Sequence, residues 1–428
     1  MKTPYTIGSG SVGGLAAGER TGGATAAFPT TRRRWLELTA ALAAATTACR
    51  RSASAPEADT GPSQLGRPVT AYGDRSPFEV AARALPDTRT PETAASRTPL
   101  QDSCGILTPS SLHYERHHSG VPKIDPAQHQ LLLHGMVDRP LVFTMEELRR
   151  LPSMSRIYFL ECSGNSSGEW GENTGRNAAQ SHGLASCSEW TGVPLSLLLA
   201  ECGVQKQSKW LIAEGADPCK MQRSLPLDKA MDDVLVAWGQ NGEALRPEQG
   251  YPLRLVVPGW EGNISVKWLR RIRAVEEPYM VRDETSHYTD LLPDGTARIF
   301  TFVMEAKSLI TFPSGGQKLT SPGFYQVTGL AWSGRGRIQR VEVSADGGQT
   351  WRDATLQEPR LPRAFTRFNS PWNWDGKEAV LQSRATDETG YVQPAKEPLV
   401  AVRGLNSQYH YNGIKPWKVM SDGSVTNG

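Results

Sequence analysis

The chain reads as α+β, a mixed domain of helices and strands followed by a β-sandwich of immunoglobulin type. Three observations predict this. Gly 41 and Pro 30 among 428 residues, with modest helix-forming content, favour many strands and turns. From Leu107 to about residue 285, apolar strand-like runs alternate with short stretches of helical spacing. Beyond Tyr288 the helix signals fade, and alternating runs joined by hairpin turns take over.

In chain order, residues 1–50 read as a twin-arginine signal peptide. Thr31-Arg-Arg-Arg-Trp-Leu-Glu37 leads into the Ala-rich, weakly hydrophobic Leu38–Ala48, which is too short and too mild to span a membrane. Cys49 directly after it leaves a lipoprotein alternative. Residues 1–51 hold seven Lys/Arg against Glu19 and Glu37, a net +5, so the remainder carries 3 − 5 = −2 and no basic footprint for nucleic acid. The expected location is periplasmic, after export in the folded state. Residues 51–98, rich in Ala, Pro, Thr, Ser and charge, read as a linker or a surface-wrapping arm without chemistry of its own.

Residues 99–285 form the expected catalytic domain. Gln130–His134 reads as a strand, Thr144–Arg150 as a helix capped by its threonine, and Tyr158–Glu161 as a buried strand. Trp190–Gly203 reads as a turn and a helix ended by glycine, Lys209–Glu214 as a strand and Pro226–Met231 as a helix. Val234–Trp238 and Tyr251–Pro258 read as further strands. Residues 286–405 form the expected sandwich, with strands at Phe324–Trp332, Ile338–Val343 and Ala379–Arg384 and a turn at Asp346-Gly-Gly348. Residues 406–428 are a C-terminal tail. The six cysteines include no Cys-x-x-Cys or Cys-x-x-Cys-His, so the chain carries no c-type haem of its own; Cys104 and Cys187 are left as one conceivable disulfide.

The chemistry centres on Cys162. In Tyr158-Phe-Leu-Glu-Cys-Ser-Gly-Asn165 one thiol sits where an apolar strand gives way to a Gly-containing loop, with Glu161 on the opposite strand face. A free cysteine is as often a small buried hydrophobe, and the wider pattern decides between the two.

That pattern, from Leu107 to Lys396, resembles the sulfite oxidase family of molybdopterin enzymes, whose Cys-Ala-Gly-Asn loop supplies a thiolate to molybdenum. The resemblance implies a molybdenum-molybdopterin cofactor with Cys162 as metal ligand. His113-Tyr-Glu-Arg-His-His118 is similar to the family segment that wraps the pterin, which makes His113, Tyr114, Glu115, Arg116 and His117 cofactor contacts and puts Arg116 and His118 beside the metal. Asp217, Gln249, Arg254, Ser265, Val266 and Lys267 match the remaining pterin and phosphate contacts, and Tyr288 resembles the substrate-side tyrosine. A cofactor phosphate calls for Arg or Lys, and the pterin edge for fixed donors and acceptors.

The departures matter equally. Ser166 and Ser167 follow the motif where sulfite oxidases have two arginines, Gly262-Asn-Ile264 replaces another arginine, and Gln249 replaces a histidine. A site for free sulfite, a small dianion, needs convergent cations that this chain lacks. Glu161–Trp170, Ser181–Pro194 and Tyr409-His-Tyr-Asn412 are instead similar to the sulfane-oxidising branch of the family, from thiosulfate oxidation. That likeness implies a sulfane sulfur carried on a cysteine of a partner protein as substrate, a c-type cytochrome subunit as electron acceptor, and a homodimer or heterotetramer. The alternative is a dehydrogenase of free sulfite. A thiol hydrolase built on Cys162 and a noncatalytic secreted binding protein are the rivals outside the family.

Overall fold

The computed structural model describes residues 66–428 apart from 67, 87, 172–175, 293 and 405–406. The expected signal peptide, Cys49 and residues 51–65 of the arm lie outside the described residues. Residues 76–428 form one compact unit that contains both the mixed domain and the sandwich.

Two sheets build the mixed domain. In the first, β1 (Gln130–Gly135) pairs antiparallel with β2 (Leu141–Thr144), which runs into helix α1 (Met145–Arg150). Thr144 caps that helix by accepting from the Glu147 amide while Glu147 reaches back, so the short helix starts at a fixed place. The second sheet begins with β3 (Met154–Glu161), paired antiparallel along its length with β4 (Ala185–Pro194). The helical turn α2 (Ala178–His182) lies between them in the chain.

The expected turn at Trp190–Pro194 is the end of β4, because these residues pair with Met154 and its neighbours as well as with the next strand. Helix α3 (Leu195–Cys202) follows and ends at Gly203, whose φ of +67° a glycine adopts without strain. β5 (Trp210–Gly215) and β6 (Gln222–Pro226) extend the first sheet, and α4 (Leu227–Asp232) leads to β7 (Leu235–Gln240) in the second. The expected strand over Tyr251–Pro258 is confined to β8 (Arg254–Val256), which pairs with β7; Pro252 has no backbone N–H to give to a ladder. β9 (Leu269–Val275) closes the first sheet between β1 and β5, and the turn α5 (Arg282–Ser286) ends the domain. Leu131, Leu198, Leu211, Val236, Leu255 and Ile272 form one buried cluster between these elements.

The sandwich has an antiparallel sheet of β10 (Lys307–Phe312), β11 (Gly323–Trp332) and β13 (Thr366–Trp374) facing a second sheet of β12 (Ile338–Ser344) and β14 (Ala379–Asp387). Trp332, Phe365 and Phe368 fill the space between, joined by Phe159 of β3, so the two domains share a core. After α6 (Lys396–Arg403), β15 (Trp417–Val419) pairs with β14 and β16 (Val425–Asn427) pairs with β15. The sandwich therefore runs past residue 405, and the expected tail supplies two of its strands with Trp417 fully buried.

The arm is likewise no free linker over its last residues. Ala95–Ser96 pairs with Glu115–Arg116, Ala84 and Arg97 exchange backbone hydrogen bonds, and Ser96 and Thr98 are buried. Cys104 and Cys187 are both free thiols, one exposed and one buried. Among the described residues no helix is long and apolar enough to cross a membrane.

Candidate functional site

β3 delivers Glu161 and Cys162 to opposite sides, as successive residues at a strand end must. Glu161 is fully buried toward the sandwich, where its carboxylate accepts from Lys307 Nζ at 2.6 Å, Trp332 Nε1 at 2.7 Å and Asn165 Nδ2 at 2.8 Å. Cys162 points the other way, into a cleft of about 690 Å³. Asn165 ties the loop shut: its amide donates to the Cys162 carbonyl and its side chain joins Glu161 to the Leu184 amide. The Gly164 N–H donates to the Cys162 sulfur; burial pushes the thiol up, and that bond and the Arg116 charge oppose the push.

Every residue singled out in the sequence lines this cleft: His113, Tyr114, Glu115, Arg116, His117, His118, Cys162, Asp217, Gln249, Arg254, Ser265, Val266, Lys267 and Tyr288. One wall is the segment 113–118. Burial holds His113 neutral, down to about 3, with Nδ1 on the Tyr114 carbonyl at 2.9 Å. Its Nε2 is buried with no partner. His117 accepts at Nδ1 from Lys267 Nζ at 2.9 Å, so its other nitrogen donates to Glu115 at 2.7 Å. The Glu115 carboxyl is held low, at about 2, chiefly by that bond. Arg116 is anchored through Nη1 on the Thr93 carbonyl at 2.8 Å.

The opposite wall comes from the loops around β8 and β9. Arg254 lies over the Trp190 ring at 4.9 Å and donates to the Gln249 and Ser265 carbonyls at 2.9 and 3.1 Å. Gln249 in turn donates to the Tyr114 carbonyl at 2.8 Å. Lys267 donates to the Arg116 and Glu248 carbonyls, and burial, seconded by Arg254, pulls its ammonium down to about 7. Ser265 Oγ accepts from the Val257 amide at 3.0 Å, and Val266 receives the Leu255 amide on its carbonyl. Asp217 accepts from the Met221 amide and from the Cys219 thiol.

At the open end Tyr288 shares a hydrogen bond with His118 Nε2 at 3.3 Å, and burial holds His118 neutral, at about 4. Arg223, which nothing in the sequence marks, lies over the Tyr288 ring at 4.5 Å and pairs with Glu261 at 2.8 Å and Glu284 at 3.3 Å. His410 contacts Glu261 at 3.4 Å, and its backbone amide donates to the Ser163 carbonyl at 2.8 Å. Asn263, Trp268, Met221 and Leu160 also line the cleft.

This lining suits an anionic organic cofactor. Arg254 and Lys267 are buried cations bonded to neutral groups, an arrangement completed by a phosphate. The orphaned His113 nitrogen and the Gln249 and Asp217 groups offer polar partners to a heterocycle. Among the described residues no three His, Cys, Asp or Glu side chains form a group that could hold a metal ion by themselves.

Comparison with known proteins agrees. Residues 118–282 match the family model of the oxidoreductase molybdopterin binding domain, and residues 298–416 that of the Mo-co oxidoreductase dimerisation domain. A solved structure, the sulfane dehydrogenase SoxCD of Paracoccus pantotrophus, is similar with 48% identity and a TM-score of 0.83, over 85% of this chain and 95% of the matched chain. The chain belongs to the sulfite oxidase family of molybdopterin oxidoreductases. Nitrate reductases of Solanum lycopersicum and Hordeum vulgare are each 34% identical, over 68% and 69% of this chain. The chain spans only 36% and 37% of their length. A molybdopterin oxidoreductase of this family thus has its cofactor domain and its dimerisation domain in one compact unit here.

Proposed function

We propose that the protein is a periplasmic molybdenum dehydrogenase that oxidises sulfane sulfur carried on a cysteine of a partner protein and passes the electrons to a c-type cytochrome. The observation that carries the reading is the 48% identity to a sulfane dehydrogenase over nearly all of the matched chain. The lining supports it: Asn263 borders the cleft in the Gly262-Asn-Ile264 stretch that replaces an arginine of the sulfite oxidases, which leaves the cleft poorer in cations than free sulfite requires.

When bound, the molybdenum pterin supplies two-electron oxygen transfer to sulfur, with water as the oxygen source. The residues of the chain do the rest. Cys162 presents its sulfur from a loop locked by Asn165 and would hold the metal as a thiolate. Arg254, Lys267, Ser265 and Gln249 fix the phosphate and pterin end, and His113 and Asp217 the heterocycle. Arg116 sets positive charge beside the sulfur, while neutral His118 and the protonated Tyr288 hydroxyl orient the incoming substrate. The sandwich supplies the dimer contact, and Arg32-Arg33-Arg34 directs folded export.

The deciding experiment compares turnover of a persulfidated carrier protein with turnover of sulfite, using cytochrome c reduction as readout. Preference for the carrier by tenfold or more is expected; equal or better use of free sulfite makes the protein a sulfite dehydrogenase instead.

A further inference from the structure

A second cleft, of about 1070 Å³, lies on the other side of the Cys162 loop and shares no lining residue with the cofactor cleft. Its lining includes Gly164, Asn165, Ser166 and Ser167 of the Cys162 loop, Arg97 of the N-terminal arm and Arg176. The two clefts are separated by little. A Cβ built on Gly164 would come within 3.9 Å of the Cys162 sulfur, and Arg97 and Cys162 interact electrostatically.

Three features make this cleft receptive to an anion. The Arg97 backbone is pinned by hydrogen bonds to Ala84, and the next residue, Thr98, bonds to Gly183, yet among the described residues its guanidinium has no hydrogen-bond or ion-pair partner. Ser166 is 6% exposed and its Oγ is buried with no partner, in a residue held at φ +65°. The carboxylate that lines the cleft, Glu169, is already neutralised, with both oxygens 2.9 Å from buried Lys415. A partly buried cation without a counter-ion among the described residues, in one cleft with a buried hydroxyl that has no partner, is completed by an oxyanion.

We propose that Arg97 and Ser166 form an oxyanion subsite for a tetrahedral sulfur oxyanion, either free sulfate or the sulfonate end of a carrier-bound product. A guanidinium fork can hold two oxygens of such a group and leave others for a hydroxyl donor, which a two-oxygen carboxylate cannot offer. In effect the arm returns from sequence position 97 one of the cations missing at 166 and 167. The inference rests on the sulfur-oxidation reading for the identity of the ligand, and on Arg97 and Ser166 for the site.

The test uses the molybdenum-loaded protein and two probes, sodium sulfate and a short peptide bearing S-sulfocysteine, each titrated calorimetrically at fixed ionic strength with chloride as background. Wild type is expected to bind at least one of them. Binding of sulfate alone identifies the free product, and binding of the peptide alone identifies the carrier-bound group. Arg97→Gln is expected to weaken binding about tenfold or more, Arg97→Lys to restore part of it, and Ser166→Ala to weaken it severalfold. Arg97→Gln is also expected to raise KM with little change in kcat, at unchanged molybdenum content. No binding by wild type, or equal binding by Arg97→Gln and Ser166→Ala, overturns the subsite. Turnover of reduced sulfur by wild type is measured separately: its absence alongside Arg97-dependent sulfate binding would sink the functional reading and leave the subsite standing.

Discussion

The Glu161–Lys307 pair offers the sharpest test of how the site is held. The two side chains are 0% and 1% exposed, 2.6 Å apart, and join the residue before Cys162 to the first strand of the sandwich. At an effective dielectric of about 20 their attraction is about 6 kcal/mol, against which stands the cost of desolvating both ions. Lys307→Met removes the attraction and the ammonium's share of the cost but keeps the carboxylate's, leaving a buried carboxylate with Trp332 Nε1 and Asn165 Nδ2 as its side-chain donors among the described residues. The expected loss is about 3–5 kcal/mol, a large share of the roughly 5–15 kcal/mol that stabilises a typical protein. The double variant Glu161→Gln with Lys307→Met removes charge from both sides and is expected to recover most of that loss, ending within about 2 kcal/mol of wild type. Urea denaturation of the four proteins of the cycle, followed by tryptophan fluorescence, measures both numbers. A Lys307→Met cost below about 1 kcal/mol, or a double variant no better than the single, would refute the claim that this pair is a desolvated inter-domain clamp.

Other expectations follow from the same geometry. Cys162→Ser is expected to fold and export but to lose most of its molybdenum, by elemental analysis, since an alkoxide is a poor substitute for a soft thiolate. Gly262→Ala would set a Cβ 2.7 Å from the Tyr114 hydroxyl and 2.9 Å from the Glu161 carbonyl oxygen, so cofactor content should fall severalfold, read from pterin fluorescence after denaturation. Lys267 in cofactor-free protein should titrate at about 7 by NMR of the labelled side chain. Because that value lies below the unfolded one, the unfolded state holds the extra proton between about 7 and 10, and stability from this group rises with pH across that window. Added inorganic phosphate should move the titration upward; a lysine titrating near 10 without phosphate contradicts the buried-cation picture.

Much of the cofactor cleft was legible because its residues fall in contiguous words. His113–His118, the Cys162 loop and Ser265–Lys267 each bring several side chains to one wall, so a resemblance read locally also places them spatially. Arg223, Glu261 and His410 escaped for the opposite reason. Arg223 and Glu261 are single charged residues without a motif of their own, His410 lies in a word noted only for its likeness, and their meeting beside Tyr288 arises only when β6, the Trp260–Gly262 loop and the C-terminal segment come together. β15 and β16 were missed because three-residue strands display too little alternation to stand out from a tail. The arm looked inert because its composition is that of a linker, while its place in the fold is set by backbone pairing that any residue can make.

The placement of the lysines explains why the two domains belong to one working unit. The loop carrying Cys162 is bracketed by two buried carboxylates, Glu161 before it and Glu169 after it, and neither is neutralised from within the cofactor domain. Glu161 meets Lys307 of the sandwich, and Glu169 meets Lys415 just before β15. The same C-terminal stretch places the Tyr409 ring 3.8 Å from a Cβ on Gly164, Tyr411 against Trp170 at 5.0 Å and the His410 amide on the Ser163 carbonyl. A thiolate that must keep a fixed direction toward a metal needs a loop with few alternative conformations. Here the restraints come from strands more than a hundred residues away, so the loop reaches its final form only once the sandwich has closed over it.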